Sequence, residues 1–237
     1  LGSLVMNHCE DDRIAYGHIN DGYVSSLLGL ASRPASAEDI LVARDCVLAY
    51  HTGGHIHIQH VSSSLSLDLI RFFKDKGTKV SCEVNPYHLL FNELELLTSY
   101  ANAKVNPPLR EENQRKVLLE ALKDGTIDCV ATDHAPHAPW EKGSLERAMP
   151  GMIGLQTALP MMLQLVRDGY ISLSKMVELM SCNPAKILGL EGCGSIKVGA
   201  RANLVLFDPE KEWVLGEETS FSKSRNTPLW NKPLKGK

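Results

Sequence analysis

Short apolar segments alternate along this sequence with polar loops and amphipathic helices, and each apolar segment leads into a side chain that can carry chemistry. Four segments show the pattern, at residues 3–7, 55–59, 79–84 and 127–132. They lead, in that order, into His8, His60, Asn85-Pro86 and Asp133. Such alternation predicts an α/β fold with parallel strands, and functional residues at the carboxyl ends of successive strands are typical of a (β/α)₈ barrel. A doubly wound open sheet would alternate in the same way.

The intervening segments have the apolar spacing of helices, with glycines where a left-handed C-terminal residue is favoured. Helices are predicted at 37–51, 64–76, 111–124, 155–168 and 173–181. Asn183-Pro184 resembles an N-cap followed by proline at the first helical position. Residues 195–215 instead combine glycine-bearing turns with β-rich runs, which predicts a small β-structure near the C-terminus.

Composition restricts the class of partner. A chain of 237 residues with 43% hydrophobic residues can bury a sizeable core, and a net charge of -3 gives no broad attraction for nucleic acid. No apolar run reaches the roughly 18 residues that a membrane span needs. The six cysteines form no CxxC pair, which favours reduced thiols in the cytoplasm. We therefore expect a small-molecule substrate, with no nucleic-acid or membrane partner.

The densest functional motif is TDHAPH at residues 132–137. A carboxylate beside a metal-bound water can bind the metal and also transfer the proton that hydrolysis requires, which is the functional interpretation of Asp133. In the structural alternative, Asp133 caps a turn and the two histidines lie on a solvated loop. The motif alone does not decide between them.

His8 and His60 each follow an apolar segment, and one such histidine is more often structural than a ligand. Two of them, together with Asp133 at the equivalent end of another strand, favour convergence on one pocket. Imidazole nitrogen and carboxylate oxygen form a zinc ligand set. His55 and His57 resemble an HxH metal pair, but they share a strand face that His60 does not, so we interpret them as structural or supporting residues.

With these residues in view, the chain resembles a type I dihydroorotase of the amidohydrolase superfamily. TDHAPH combined with KVNPPLR (104–110) and a downstream PGxxGLQT is highly specific, whereas NPAKILGL (183–190) marks only the superfamily. Further motifs that carry the resemblance are NHCED (7–11), HIQHVSS (57–63), EVNPYHLL (83–90) and SRNTPLW (224–230). The motif EVNPYHLL departs from the family's usual EVTPHHLL by placing Tyr87 where a loop histidine is expected.

The resemblance implies a role for each matching residue. His8 and His60 match the pair that binds the second metal, and Asp133 matches the aspartate that binds the first metal and acts as general base and acid. The positions that match substrate-binding groups are Asn106, His137, Pro150 and Gly151. The implied reaction is the reversible, zinc-dependent cyclisation of N-carbamoyl-L-aspartate to dihydroorotate in pyrimidine (UMP) biosynthesis, with two zinc ions per intact site.

The resemblance also implies that part of the site lies upstream of this sequence. The family's HxH motif, its metal-bridging ligand and an early substrate asparagine have no counterpart here. We therefore expect residues 1–190 to form the C-terminal portion of a (β/α)₈ TIM-type amidohydrolase barrel and residues 191–237 a small β-rich segment. We also expect the chain by itself to be inactive.

Other readings remain open. Dihydropyrimidinase, hydantoinase and allantoinase perform related cyclic amide chemistry, although TDHAPH with Asn106 and His137 fits the dihydroorotase pattern better. A non-catalytic dihydroorotase-like subunit that stabilises aspartate transcarbamoylase is an alternative of another class. The resemblance leaves open both a homo-oligomer and a complex with aspartate transcarbamoylase.

Overall fold

The computed structural model of the protein describes residues 3–237. Its strands are β1 (Leu4–Asn7), β2 (Ile19–Asn20), β3 (Ser32–Arg33), β4 (His55–Ile58), β5 (Val80–Val84), β6 (Cys129–Val130), β7 (Glu212–Val214) and β8 (Pro233–Lys235). Its α-helices are α1 (Tyr23–Leu28), α2 (Ser36–Thr52), α3 (Ser64–Asp75), α4 (Pro86–Leu90), α5 (Leu96–Ser99), α6 (Glu112–Asp124), α7 (Ala158–Arg167), α8 (Leu173–Val177) and α9 (Asn183–Ile187).

Within residues 3–237 the main sheet contains the strands β1, β4, β5 and β6, in that spatial order and all parallel. Helix α2 lies in the connection from β1 to β4, α3 in the next, and α6 in the connection from β5 to β6. The predicted parallel α/β architecture is therefore confirmed. Since parallel strands end at the same edge of a sheet, the loops after β1, β4, β5 and β6 lie together.

The two faces of the sheet differ in chemistry. Ile56 and Ile58 of β4 pack into the hydrophobic core, whereas His57 between them points to the opposite face. The side chains of strand β5 alternate between the two faces in the same way. Cys82 packs into the core, whereas Ser81 and Glu83 form hydrogen bonds with His57. One face is therefore apolar and covered by helices, and the other is lined by polar side chains.

One core holds the helices against the apolar face. Val42 of α2, Leu67 of α3, Leu118 of α6 and Met162 of α7 belong to the same buried cluster as the strand residues. Full burial of each such aliphatic side chain contributes about 1.5–3 kcal/mol. Among the helices of residues 3–237, none combines the length and apolar character that a bilayer crossing requires.

Glycines end two of these helices as the sequence predicts. Gly53 after α2 and Gly125 after α6 adopt φ of 68° and 85°, the left-handed conformation that terminates helices at low cost. Helix α7 begins at Ala158, later than the predicted 155, because residues 154–157 form a turn. In that turn His134 Nδ1 accepts hydrogen bonds from the backbone N–H groups of Gly154 and Leu155, at 2.9 and 3.3 Å.

The expected N-cap role of Asn183 is wrong. The backbone is already helical at Asn183, because a π-helical segment Glu178–Cys182 leads directly into α9. The Asn183 side chain instead donates a hydrogen bond to the carbonyl of Asp128, at 2.8 Å. It therefore attaches this helix to the chain just before β6.

The C-terminal region forms less regular structure than its composition suggests. Of residues 195–215, only Glu212–Val214 form a strand, which pairs antiparallel with β8. In the described part of the chain, residues 195–211 pair with no other strand, and Val198 and Leu206 are fully exposed. A β-rich sequence needs a partner strand to form a ladder, and these residues have none there.

Candidate metal and substrate site

Two histidines meet at the carboxyl edge of the main sheet. His8 directly follows β1 and His60 lies two residues beyond β4, and His8 Nδ1 lies 2.9 Å from His60 Nε2. The rings are nearly perpendicular, with centroids 4.7 Å apart. Strand pairing brings them together, because Asn7 is the register partner of Ile58 and the backbone N–H of Gln59 donates to Asn7 at 3.0 Å.

The backbone at His60 adopts φ of 34°, a conformation uncommon for residues other than glycine. The side chain is 7% exposed, and its Nδ1 is buried without a hydrogen-bond partner in residues 3–237. Burial lowers the pKa of His60, and the neighbouring His8 adds to the effect, while Asp133 opposes it. The neutral imidazole that metal binding requires is therefore favoured.

Glu10 lies on the far side of His8 from His60. Its Oε2 lies 3.2 Å from His8 Nε2 and accepts a hydrogen bond from Asn106 Nδ2 at 2.8 Å, while Arg33 donates to Oε1 at 3.1 Å. Burial by itself would raise the pKa of Glu10, but the hydrogen bonds from His8 and Asn106 and the charge of Arg33 outweigh it. The pKa is lowered, so this carboxylate stays ionised.

Asp133 follows β6 and also has positive φ, at 45°. Its Oδ2 accepts a hydrogen bond from the Tyr87 hydroxyl at 3.1 Å, and that hydroxyl in turn accepts from Asn85 Nδ2 at 2.5 Å. Burial, and then the charge of Asp133, raise the pKa of Tyr87 well above its usual value. Tyr87 therefore remains a hydrogen-bond donor to an otherwise exposed carboxylate.

Asn106 stands next to His8, with its Nδ2 3.4 Å from His8 Nε2. Because its amide nitrogen faces the Glu10 carboxylate, its Oδ1 is turned away, and this buried oxygen has no partner within residues 3–237. The following proline, Pro107, is joined through a cis peptide bond, and its carbonyl contacts His88 Nε2 at 3.0 Å. Asn106 thus has a free acceptor at the site.

His137, Pro150 and Gly151 form a second group around Asn226. His137 Nε2 lies 3.0 Å from the carbonyl of Pro150, and its backbone N–H donates to Asn226 Oδ1 at 3.1 Å. The Asn226 amide donates to the carbonyls of Ala135 and Gly151, at 2.8 and 3.0 Å. Gly151 has φ of 132°, and a Cβ there would lie 2.6 Å from Ala135 Cβ, so only glycine fits.

The predicted ligands do not all converge. Within residues 3–237, the one trio of histidine, cysteine or acidic side chains with donor atoms within 4.8 Å of one another is His57, Glu83 and Cys129. The nitrogens of His57 lie 2.8 Å from Ser81 Oγ and 3.1 Å from Glu83 Oε2, so its polar atoms already have partners. His8 and His60 meet directly, whereas Asp133 forms no trio with them within 4.8 Å and instead accepts a hydrogen bond from Tyr87.

A buried ion pair supports the loop that carries His60. Glu38 of α2 accepts hydrogen bonds from the backbone N–H groups of Ser62 and Ser63, at 2.9 and 3.0 Å. Arg110 Nη2 lies 3.6 Å from the same carboxylate, and both side chains are about 95% buried. Glu38 therefore fixes the turn that follows His60 to helix α2.

Sequence reasoning missed Glu10, Arg33 and Tyr87 as members of the site. His8 and His60 were selected because each follows an apolar strand segment. Tyr87 follows strand β5 and could have been found by the same criterion. Glu10 and Arg33 carried no comparable signal, because their pairing joins two loops that are 23 residues apart in sequence.

The sequence matches the Amidohydrolase family over residues 4–230. It is 61% identical over 237 residues to a dihydroorotase from Aquifex aeolicus (strain VF5), covering all of this chain and 56% of that protein. A dihydroorotase from Sulfurihydrogenibium sp. (strain YO3AOP1) is 46% identical with the same coverage. An L-hydantoinase (dihydropyrimidinase) from Arthrobacter aurescens superposes with a TM-score of 0.89 at 28% identity, covering 99% of this chain and 54% of the other. The chain thus spans little more than half the length of these relatives.

Proposed function

Because this chain belongs to the amidohydrolase family, we propose that it is part of a dihydroorotase, which reversibly cyclises N-carbamoyl-L-aspartate to (S)-dihydroorotate with loss of water in pyrimidine biosynthesis. The observation that carries the proposal is the meeting of His8 and His60, 2.9 Å apart at the carboxyl ends of paired strands. The 61% identity to a dihydroorotase supports this substrate above the ring substrates of hydantoinases.

The residues present fit a metal ion. Two imidazole nitrogens that bind one zinc ion tetrahedrally at about 2.0–2.1 Å lie roughly 3.3 Å apart, so the facing nitrogens of His8 and His60 need to separate only slightly. Bound zinc polarises a carbonyl and brings the pKa of a water to about 7. We propose zinc as the metal, with one ion held by His8 and His60 and with Asp133 as a ligand of the other ion.

The proton transfers of the reaction are proposed for residues of this chain. In the hydrolytic direction water adds to the ring amide carbonyl of dihydroorotate, and we propose that Asp133 takes the proton of that water and passes it to the departing ring nitrogen. Tyr87 holds the Asp133 carboxylate in place through its hydroxyl. Cyclisation of N-carbamoyl-L-aspartate runs the same proton transfers in reverse.

Substrate contacts are proposed at two places. The free Oδ1 of Asn106 is a buried acceptor suited to a ring N–H of dihydroorotate. His137 and the backbone of Pro150 and Gly151 would hold the other polar edge of the ring, with Asn226 fixing this loop. An unpartnered buried acceptor selects for a ligand that supplies the missing donor.

The sheet of this chain is proposed to be one part of a closed (β/α)₈ barrel, formed by residues 1–190. Helices α2, α3, α6 and α7 pack on the same apolar face of the sheet, as in a barrel, whereas a doubly wound sheet has helices on both faces. Residues 191–237 would form a small β-rich domain. We propose that the rest of the barrel, the remaining ligands of the zinc ion bound by Asp133 and the bridging ligand belong to the part of the relatives that this chain does not match.

Three further expectations follow for the full-length protein. It would act in the cytoplasm, where the six free cysteines stay reduced. It would bind no nucleic acid. It would assemble either as a homo-oligomer or with aspartate transcarbamoylase, and size-exclusion chromatography with and without that enzyme would separate the two.

The test is a substrate comparison with the purified, zinc-loaded full-length protein. Turnover of dihydroorotate and N-carbamoyl-L-aspartate is measured beside hydantoin, dihydrouracil and allantoin. We expect kcat/KM for dihydroorotate to exceed that for each other ring by at least about tenfold. Preference for hydantoin or dihydrouracil would replace the proposal by a hydantoinase, and no turnover of any ring by a metal-loaded protein would favour a non-catalytic subunit.

A further inference from the structure

We propose that Glu10 is a positioning residue, which fixes the tautomer and orientation of His8 for metal binding and joins that ligand to the substrate-binding amide of Asn106. The proposal rests on the proposed zinc site at His8 and His60.

The two ring nitrogens of His8 face different partners, His60 at Nδ1 and Glu10 at Nε2. A neutral imidazole carries its proton on one nitrogen and a lone pair on the other, and the hydrogen bond at one nitrogen decides which. The Glu10 carboxylate accepts hydrogen bonds and lies 3.2 Å from His8 Nε2, closer than the Asn106 amide nitrogen at 3.4 Å, which itself donates to Glu10 at 2.8 Å. The carboxylate therefore favours a proton on His8 Nε2. The lone pair is then on Nδ1, the nitrogen that faces His60.

Glu10 is held tightly enough to impose this choice. Its side chain is 11% exposed, and Arg33 donates to its second oxygen at 3.1 Å. A charge-assisted contact of this kind restricts the carboxylate to one orientation. Histidine ligands of metals commonly donate their second ring N–H to a carboxylate, which raises the basicity of the ligating nitrogen.

Glu10 is not placed to bind the same ion itself. It contacts Nε2 of His8, on the opposite side of the ring from the nitrogen that faces His60. Its Oε2 instead accepts from Asn106 Nδ2 at 2.8 Å, which directs Asn106 Oδ1 away as a free acceptor. The same carboxylate oxygen therefore influences which nitrogen of His8 carries the lone pair. It also determines that Asn106 presents its Oδ1 as the free acceptor for substrate.

The first experiment measures zinc affinity of the full-length protein by competition with a chelator. Glu10→Ala should weaken zinc binding by about 10–100-fold, the usual effect of losing such a partner. The zinc affinity of Glu10→Gln should lie between those of wild type and Glu10→Ala. The glutamine carbonyl can still accept from His8, but its amide group opposes Arg33. Asp12→Asn is the matched control, because Asp12 is exposed and in residues 3–237 makes no side-chain hydrogen bond; it should leave zinc affinity unchanged.

The second experiment reads the tautomer directly. In the metal-free protein, ¹⁵N chemical shifts of His8, assigned by comparison with His8→Gln, should place its proton on Nε2, and Glu10→Gln should reduce that preference. This readout needs neither activity nor a folded alanine variant. A proton on Nδ1 of His8 in the wild-type protein would overturn the proposal.

The outcomes separate the two proposals. If Glu10→Ala binds zinc within twofold of wild type while His8→Ala loses it, the metal site stands and the role of Glu10 is wrong. If His8→Ala and His60→Ala also retain wild-type zinc affinity, the metal site of the proposed function fails instead.

Discussion

His8 Nδ1 and His60 Nε2 lie 2.9 Å apart although 52 residues separate them in sequence. The pairing of β1 with β4 produces this contact, because each histidine comes from the loop that continues one of two neighbouring parallel strands. The two imidazoles face each other at this distance, and His60 is buried. They are therefore the proposed ligands that the described residues bring into direct contact.

Removal of either histidine should abolish tight metal binding at this position. His8→Ala or His60→Ala deletes a proposed direct ligand, so zinc affinity should fall by more than the roughly 10–100-fold typical of an outer partner. Chelator competition followed by metal analysis measures it. His51→Ala, at the exposed end of α2, should retain wild-type affinity. Equal affinity in all three variants would contradict the assignment.

Replacement of Asp133 should stop turnover without unfolding the protein. Asp133→Asn removes the proposed proton acceptor, and general acid–base groups contribute about 10²–10⁴-fold to rate, so kcat should fall in that range. Asp133 is exposed and asparagine tolerates its positive φ, so thermal stability should change by less than about 0.5 kcal/mol. A kcat within threefold of wild type would remove Asp133 from the mechanism.

Tyr87→Phe should cost stability and some activity. The ring is 1% exposed, and loss of its hydroxyl leaves the buried Asn85 amide and the Asp133 carboxylate without a shared partner. An unsatisfied buried polar group costs about 1–3 kcal/mol, which urea unfolding will detect. Tyr16→Phe is the control, since Tyr16 is 77% exposed. Equal effects of the two substitutions would show that the hydroxyl contacts do not stabilise the fold.

Glu38→Ala should destabilise the protein more than any of the other single changes. Arg110 is almost fully buried, and burial lowers its pKa while Glu38 opposes the shift. Breaking a buried ion pair costs about 3–5 kcal/mol because the remaining charge is left uncompensated. Denaturant unfolding measures the loss, with the exposed Glu218→Ala as control. A loss below about 1 kcal/mol would mean that the pair is not held as the structure places it.

The stability of the protein should fall in mild acid through His88. Burial lowers the pKa of His88 to about 3, whereas an unfolded histidine takes up its proton near pH 6.5. Below pH 6.5 the unfolded state therefore binds more protons than the folded state, and stability falls by up to about 1.4 kcal/mol per pH unit until folded His88 titrates near 3.

His88→Gln keeps a donor for the Pro107 carbonyl but removes the titrating group. The free energy of unfolding should therefore decline less steeply between pH 6.5 and 4.5 in this variant than in wild type. Parallel declines in the two proteins would show that His88 is not the group responsible.

The alternation of apolar segments and polar loops was sufficient to predict the parallel strands and the meeting of His8 with His60. Both depend on local pattern and on the geometry that all parallel sheets share. Glu10 and Arg33 could not be predicted in the same way, because their ion pair depends on how two loops pack in three dimensions. Residues 195–211 were expected to form strands, but a strand needs a neighbour, and the sequence of one segment does not show whether a partner is present.

The positive φ angles of His60 and Asp133 restrict how this site can evolve. Among residues other than glycine, histidine, aspartate and asparagine tolerate that backbone best, so exchange for a longer or β-branched ligand would also have to reshape the loop. Substitution by asparagine, in contrast, removes the proposed metal ligand and preserves the shape of the loop. A descendant could therefore lose catalysis through a single such change while its fold and its binding surfaces remain available for another role.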